Sequence, residues 1–268
     1  MLKVGVVGVG GRMGSLILRG ILNESDMVLS GATERDGHPY LGKDAGAVFG
    51  EGAEGVKILS DPNEAFVGVD VIIDFSSPES TVKNLEFAER AKKAMVIGTT
   101  GLAPGQKDRV ESVSESIPVV MAPNMSIGVN VMFKVVGILA DLLGKTYDCE
   151  IIEAHHRFKK DAPSGTAIGI AQEIAKARGI DLDKHARYER HGIIGERASG
   201  EIGIQSIRAG DIVGDHTVIF AANGERIELV HRAHSRKTFA SGAIRAARWV
   251  AGRTPGLYSM KDVLGIQP

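Results

Sequence analysis

Leu2-Lys-Val-Gly-Val-Val-Gly-Val-Gly-Gly-Arg-Met-Gly14 opens the chain, and its reading decides the fold. Leu2 to Val7 is apolar and β-branched, as a buried strand requires, and Gly8 follows at once. After the glycine turn, Met13, Leu16, Ile17 and Ile21 recur with helical spacing. Strand, glycine turn and helix make the first half of a dinucleotide-binding βαβ unit. Met27 to Thr33 reads as the second strand. It ends at Glu34-Arg35, about twenty positions past the last glycine, where an acidic residue meets ribose hydroxyls. The turn departs from G-x-G-x-x-G, because Met13 holds the third position and Gly14 comes one later. A glycine pattern by itself is weak, since a tight turn can pack a strand on a helix with no ligand. The strand before, the helix after and the acid at its distance together point to a nicotinamide dinucleotide.

Working outward, residues 36–55 are glycine-rich without a period and read as a mobile loop beside the cofactor. Val69 to Phe75 is a strand, and Ser77-Pro78 starts a helix with proline at its preferred first position. Ala94 to Gly98 is the next strand, followed by Thr99-Thr100-Gly101; Pro118 to Ala122 is another, leading into Pro123-Asn124-Met125-Ser126. Ligands of open parallel sheets lie beyond the carboxyl ends of strands. The expected cofactor contacts are therefore Gly8, Val9, Gly10, Gly11, Arg12 and Met13 at the first turn, with Glu34 and Arg35 at the ribose. Gly98, Thr99, Thr100, Ala122, Pro123, Asn124 and Met125 are expected to flank the nicotinamide. Both NADH and NADPH are expected, because Glu34 can accept from a ribose hydroxyl and Arg35 can pair with a 2′-phosphate.

The alternation of strand and helix stops near residue 125, and a long apolar helix, Ile127 to Leu143, follows. Ile202–Ala209, His216–Ala221 and Glu225–Arg232 read as strands, the last two joined at Asn223-Gly224 by a hairpin. The polar stretch from Asp181 to Gly200 reads as a surface excursion. Near the end, Thr238 to Val250 forms a helix with Phe239, Ala243, Ala247 and Val250 on one face. The expectation is an α/β chain: a Rossmann-like, doubly wound parallel-sheet domain over 1–126 plus 237–268, and an α+β domain built on a mixed sheet over 127–236.

The chemistry concentrates in Glu153-Ala-His-His-Arg-Phe-Lys-Lys-Asp-Ala-Pro-Ser-Gly-Thr-Ala167. A β-branched segment, Cys149 to Ala154, precedes it and a helical one follows, so this is a strand-to-helix loop. Pro163 and Ser164 supply a turn and a capping hydroxyl, which leaves the N–H groups of Gly165 and Thr166 at an electropositive helix start. An anion there would meet His155, His156, Arg157, Lys159 and Lys160. A small acidic substrate needs such a place. No metal is expected: adjacent histidines on a strand face opposite ways, and no spaced Cys/His partner completes a ligand set. A solvated basic loop is the bland alternative.

Composition excludes several classes. With 43% apolar and 24% charged residues the 268-residue chain can build a core, and a net charge of −1 argues against a general nucleic-acid or membrane surface. No signal peptide is read at the N-terminus, and the apolar runs look too short and interrupted to span a bilayer, so a cytoplasmic protein is expected. The one cysteine, Cys149, lies in an apolar strand and reads as a packed residue.

The 153–167 segment resembles the signature of the 4-hydroxy-tetrahydrodipicolinate (dihydrodipicolinate) reductase family. Gly8–Gly14, Gly98-Thr-Thr-Gly101, Asn124-Met-Ser-Ile-Gly-Val-Asn130 and Arg208-Ala-Gly-Asp-Ile-Val-Gly-Asp-His216 resemble family segments in the family's order. Met13 in the fingerprint is itself family-like, whereas Ser76-Ser77 departs from a basic residue found in some members. The resemblance implies a nucleotide domain completed by the C-terminal segment, a substrate domain between, and a homotetramer built through the substrate-domain sheets. It implies His155 and Lys159 in proton transfer, His156 on a dicarboxylate substrate, and Gly165-Thr166, with Ser164, on one of its carboxylates. Rival readings are another two-domain nicotinamide oxidoreductase acting on a small amino or dicarboxylic acid, and a non-catalytic dinucleotide sensor. The first would lack His-His-Arg-x-Lys before Pro-Ser-Gly-Thr, and the second would not need Lys159 and His155 beside an anion site.

Overall fold

The structure is a computed structural model describing residues 1–267, and it divides into two compact units, Met1–Ile127 with Arg236–Pro268, and Gly128–Ser235. In the first, the chain runs β1 (Leu2–Val7), α1 (Arg12–Leu22), β2 (Met27–Thr33), α2 (Ala45–Val48), β3 (Ile58–Leu59), α3 (Pro62–Ala65), β4 (Val71–Asp74), α4 (Pro78–Ala91), β5 (Ala94–Ile97), α5 (Pro104–Ser114) and β6 (Pro118–Met121). After α6 (Ile127–Leu143), the second unit holds β7 (Asp148–His155), α7 (Gly165–Arg178), α8 (Leu182–His185), β8 (Ala186–Arg187), β9 (Ile202–Arg208), β10 (Gly214–Ala222) and β11 (Glu225–Ala233). The chain then returns to the first unit with α9 (Lys237–Val250), β12 (Gly256–Tyr258) and α10 (Met260–Leu264).

Among the described residues, the first unit carries a parallel sheet in the order β12-β6-β5-β4-β1-β2-β3. β4 and β5 are buried along their length and β1 from Val4 to Val7, as parallel strands covered on both faces must be. Chain order reverses at β1, which lies between β2 and β4, and this is the switch point at which such sheets bind ligands. One face is covered by α1 and α9, which approach closely because Gly20 is small: a Cβ there would stand 2.4 Å from Ile244 Cδ1. The buried face of α9 includes Ala243, Ala247 and Val250 of the expected stripe, with Ala240, Gly242, Ile244 and Ala246 beside them, while Phe239 is only half-buried.

In the second unit the sheet order is β11-β10-β7-β9-β8, antiparallel across β11-β10-β7 and parallel across β7-β9-β8. One face of β7 sends Cys149 and Ile151 into a core shared with Met132, Val136 and Ala140 of α6 and Ile170 and Ile174 of α7. Burial pushes the Cys149 thiol up to about 12, which makes it an inert packed residue.

Two expectations need correction. With the 3-10 turn that continues α6, residues 127–146 make a helical run of 20 residues whose most apolar 18-residue window has mean hydropathy 1.8, long and apolar enough by length and composition to cross a membrane. The apolar run was therefore misjudged as too short; Lys134 and Asp141 interrupt it in sequence without ending the helix, and its Met132-Val136-Ala140 stripe packs in the core. The glycine-rich 36–55 stretch is organised around one carboxylate. Asp44 caps α2 by accepting from Ala47 N (2.9 Å) and ties down Glu54 N (3.1 Å) and Gly55 N (2.7 Å).

Candidate active site

In the first unit, Gly8 turns the chain off β1 with φ +67, a conformation that favours glycine, and its N–H donates to Thr33 O at 2.8 Å. The helix then packs against the turn it has just left. A Cβ on Gly14 would stand 2.0 Å from Gly8 O and 2.9 Å from Val9 Cα, so Gly14 takes the close-packing role that the general fingerprint gives to the position before it. Met13, one residue earlier, packs its side chain on the core. The N-cap of α1 is Gly11, with no side-chain cap, so its first N–H groups remain for a ligand.

Glu34 Oε1 accepts from Gly10 N at 2.8 Å and Oε2 from Arg35 N at 3.0 Å, which draws the acid from the end of β2 onto the glycine turn. A Cβ on Gly10 would meet His38 Cε1 at 2.7 Å, so His38, unremarked in the sequence, closes over the same place. A cleft of about 660 Å³ lies beyond these strand ends, lined among others by Gly8, Gly11, Glu34, Arg35, Ser76 and Lys83. Its size and its mixed glycine, acidic and basic rim suit a nucleotide. Arg12 and Arg35 are exposed, and Val9 is buried.

Gly98 and Ala122 follow β5 and β6 at the same edge of the sheet. A Cβ on Gly98 would enter the Phe75 ring at 2.1 Å. Thr99 turns inward, its hydroxyl accepting from Ser76 N (3.1 Å) and bonded to Thr81 Oγ1 (2.8 Å), whereas Thr100 is exposed. Beneath them Asp74 is fully buried and accepts from Ser76 Oγ and Asn84 Nδ2; burial pushes its carboxyl above the usual range against these hydrogen bonds. Ala122 and Met125 are buried, Pro123 is exposed, and Asn124 Oδ1 accepts from Ser126 N at 2.9 Å.

In the second unit, the face of β7 that carries Cys149 and Ile151 turns polar at its carboxyl end with Glu153 and His155. Glu153 is completely buried, and five bonds fall on its carboxylate: His155 Nδ1 (2.6 Å), Ser164 N (3.1 Å), Arg208 Nη1 (2.8 Å) and Nη2 (2.7 Å), and the Ser206 side chain. Burial alone would raise its pKa, but the bonds from His155 and Arg208 outweigh burial and hold the carboxyl well below the usual range. Arg208 also donates to Asp161 O at 2.7 Å. Across the sheet His216, register partner of Glu153, joins Ser164 Oγ at 3.1 Å. Burial, and then the neighbouring His155, push His216 down to about 3, so it is neutral.

Ser164 is the N-cap of α7 and accepts from Ala167 N at 3.1 Å. Its hydroxyl is thus committed inward, to the helix and to His216, and the residue is 2% exposed, which makes it a cap for the helix start. Gly165 is exposed at the first helical position, and Thr166 follows half-buried. Lys159 Nζ is paired with both oxygens of Asp161 at 2.9 and 2.8 Å, a bond that holds Asp161 below the usual carboxylate range. His156 is half-buried, its ring 6.3 Å from Phe158, while Arg157 and Lys160 are exposed. Among the described residues no cluster of three or more His, Cys, Asp or Glu could hold a metal ion.

Residues 2–125 match the family described as Dihydrodipicolinate reductase, N-terminus, and residues 128–264 match Dihydrodipicolinate reductase, C-terminus. The chain belongs to the dihydrodipicolinate reductase family. Curated relatives named 4-hydroxy-tetrahydrodipicolinate reductase share 54% identity in Syntrophus aciditrophicus and 51% in Geotalea uraniireducens, over the whole of each chain. The fold matches "Dipicolinate bound Dihydrodipicolinate reductase from Paenisporosarcina sp. TG-14" with TM-score 0.76 and 26% identity, covering all of both chains. Family membership makes the chain an oxidoreductase that uses a pyridine nucleotide on a small molecule, and it closes the dinucleotide-sensor reading. In the 153–167 loop the sequence reading singled out His155, His156, Lys159, Ser164, Gly165 and Thr166 but passed over Glu153, and with it Arg208 and His216. Those three stood in the quoted motifs; the missing signal was the strand register that brings them together.

Proposed function

We propose that this chain reduces 4-hydroxy-tetrahydrodipicolinate to tetrahydrodipicolinate, with loss of water, in the diaminopimelate route to lysine. The observation that carries the reading is the meeting of His155, Lys159 and the uncrowded start of α7 around one loop, in a chain of this family. Residues 127–236 are then the substrate-binding and oligomerisation domain, and 1–126 with 237–268 the dinucleotide-binding domain. A substrate carboxylate rests on the N–H groups of Gly165 and Thr166, which the helix dipole favours. It competes with Asp161 for Lys159, and His156 touches the substrate. Gly8 to Met13 hold the pyrophosphate, Glu34 the ribose hydroxyls and Arg35 a 2′-phosphate, so both NADH and NADPH serve. Gly98, Thr99, Thr100 and Ala122 to Met125 flank the nicotinamide, Thr99 through its backbone.

The nucleotide supplies a hydride when bound. Electron density in the conjugated ring moves toward nitrogen, and Lys159 and His155 deliver the balancing proton; a positioned acid of this kind contributes about 10²–10⁴-fold. Dipicolinate, named with the Paenisporosarcina protein, presents two carboxylates on an aromatic ring that cannot readily accept hydride, and should compete with substrate here. On the sheet face away from α7, Ile207 and Val230 are 47% and 45% exposed, which favours burial between subunits of a homotetramer. A cytoplasmic location fits a chain whose single cysteine is buried and reduced.

The decisive assay follows NADH and NADPH oxidation with substrate formed in situ from pyruvate and aspartate semialdehyde by the condensing synthase. Oxidation strictly dependent on the condensation product is expected. Folded protein with no turnover on either nucleotide refutes the reading.

A further inference from the structure

Glu153 is buried and ionised, and every element of the substrate loop is tied to it. It stands on β7; Arg208, which clasps it through two nitrogens, ends β9; Ser164 begins the α7 helix; His155 closes β7. We propose that Glu153, through Arg208, is the positioning residue of this reductase site, holding His155 in one tautomer and both ends of the 156–164 loop in place. The inference rests on the reductase reading and adds to it a residue that touches neither substrate nor nucleotide.

The tautomer follows from donor counting. An ionised carboxylate only accepts, so the 2.6 Å bond requires a proton on His155 Nδ1. Neutral His155 must then carry its lone pair on Nε2, and the proton it exchanges in catalysis enters and leaves through that atom. The loop is held by the same group. Ser164 N donates to one Glu153 oxygen, and Arg208, fixed on both, reaches Asp161 O at 2.7 Å. Asp161 is the partner of Lys159, so the two acid-base side chains take their places from one ion pair, Glu153 with Arg208.

Glutamine at 153 keeps the shape and removes this capacity. Oε1 accepts from Ser164 N and Arg208 Nη2, and Oε2 from His155 Nδ1 and Arg208 Nη1, so an amide NH₂ must face donors on whichever side it lies. On the Oε1 side it would oppose two donors that cannot give up a proton, Ser164 N and Arg208 Nη2, against one on the other side, so it faces His155, donates to Nδ1 and drives the proton to Nε2.

The test combines kinetics with nitrogen-15 NMR of the imidazoles, the His155 signals being identified by their loss in His155→Gln. In the wild-type protein at about pH 9, where an ordinary imidazole is neutral, the Nδ1–H pattern is expected. Glu153→Gln should convert His155 to the Nε2–H pattern. It should lower kcat on the order of 10²-fold, as small misplacements of catalytic groups do, while the KM for nucleotide stays within about threefold. An Nε2–H pattern in the wild type overturns the proposal, and that measurement needs no variant to fold. So does a Glu153→Gln enzyme with kcat within about threefold of wild type. Absence of turnover in the wild type would instead sink the reductase reading, leaving the tautomer measurement to judge Glu153 by itself.

Discussion

Replacing Gly14 by alanine tests why the glycine turn departs from the general fingerprint. The added Cβ would stand 2.0 Å from Gly8 O and 2.6 Å from Gly8 C, where real Cβ contacts do not fall below 3.0 Å. Both neighbours are backbone, so the turn or α1 must yield by about 1 Å. Two stability effects oppose each other. Overpacking costs about 1–3 kcal/mol, and alanine in place of glycine inside a helix returns about 1 kcal/mol. The net loss is therefore about 0–2 kcal/mol, and the melting temperature should fall by no more than about 8 °C. Nucleotide binding has no such compensation. A displaced turn forfeits a charge-assisted hydrogen bond to phosphate worth about 1.5–3 kcal/mol, which is a loss of about 10–150-fold in affinity. Gly105→Ala is the matched control, a glycine near the start of α5 whose added Cβ would meet nothing within 4 Å and which lies outside the glycine turn. A loss below about fivefold is expected for it. Affinity is read from the fluorescence of bound NADH. If Gly14→Ala binds as tightly as Gly105→Ala, the close helix–turn packing does not govern the nucleotide site.

Three further outcomes are expected. Lys159→Ala should lower kcat by about 10²–10⁴-fold in the coupled oxidation assay, and near-normal turnover would move the proton donor elsewhere. Arg35→Ala should raise the KM for NADPH and leave that for NADH in place; equal loss for both nucleotides would show that Arg35 does not read the 2′-phosphate. Because the Glu153 carboxyl is held below its ordinary range, its ionised form contributes stability that is complete above about pH 4.5 and is lost as pH falls through the folded-state value. Denaturant titrations should show the stability gap between wild type and Glu153→Gln shrinking from about pH 7 to about pH 2, and a constant gap would contradict that linkage.

Sequence by itself determined the features whose causes lie within a few residues. The β1 strand, the glycine turn and α1 follow from local hydrophobic spacing and the freedom of Gly8, and the start of α7 follows from the Ser164 cap. The hairpin at Asn223-Gly224 is equally local, as the β10–β11 register shows. The helix start at Gly165 and the basic loop before it were legible for the same reason. Tertiary structure alone decided what depends on register and packing. Glu153 meets Arg208 across 55 positions, Ser164 meets His216 across 52, and Asp74 gathers Ser76, Asn84 and Thr99 beneath the carboxyl edge of the first sheet. The polar excursion after α8 is likewise anchored at a distance, Arg190 on Glu150 at 2.7 Å and Arg197 on Asp148 at 2.7 Å. A carboxylate's role depends on whether donors surround it or water does, and that is settled only when strands far apart in the chain pair in one register and exclude solvent. For this reason Glu153 read as one more letter of a motif, while in the folded chain it is the group on which the loop is built.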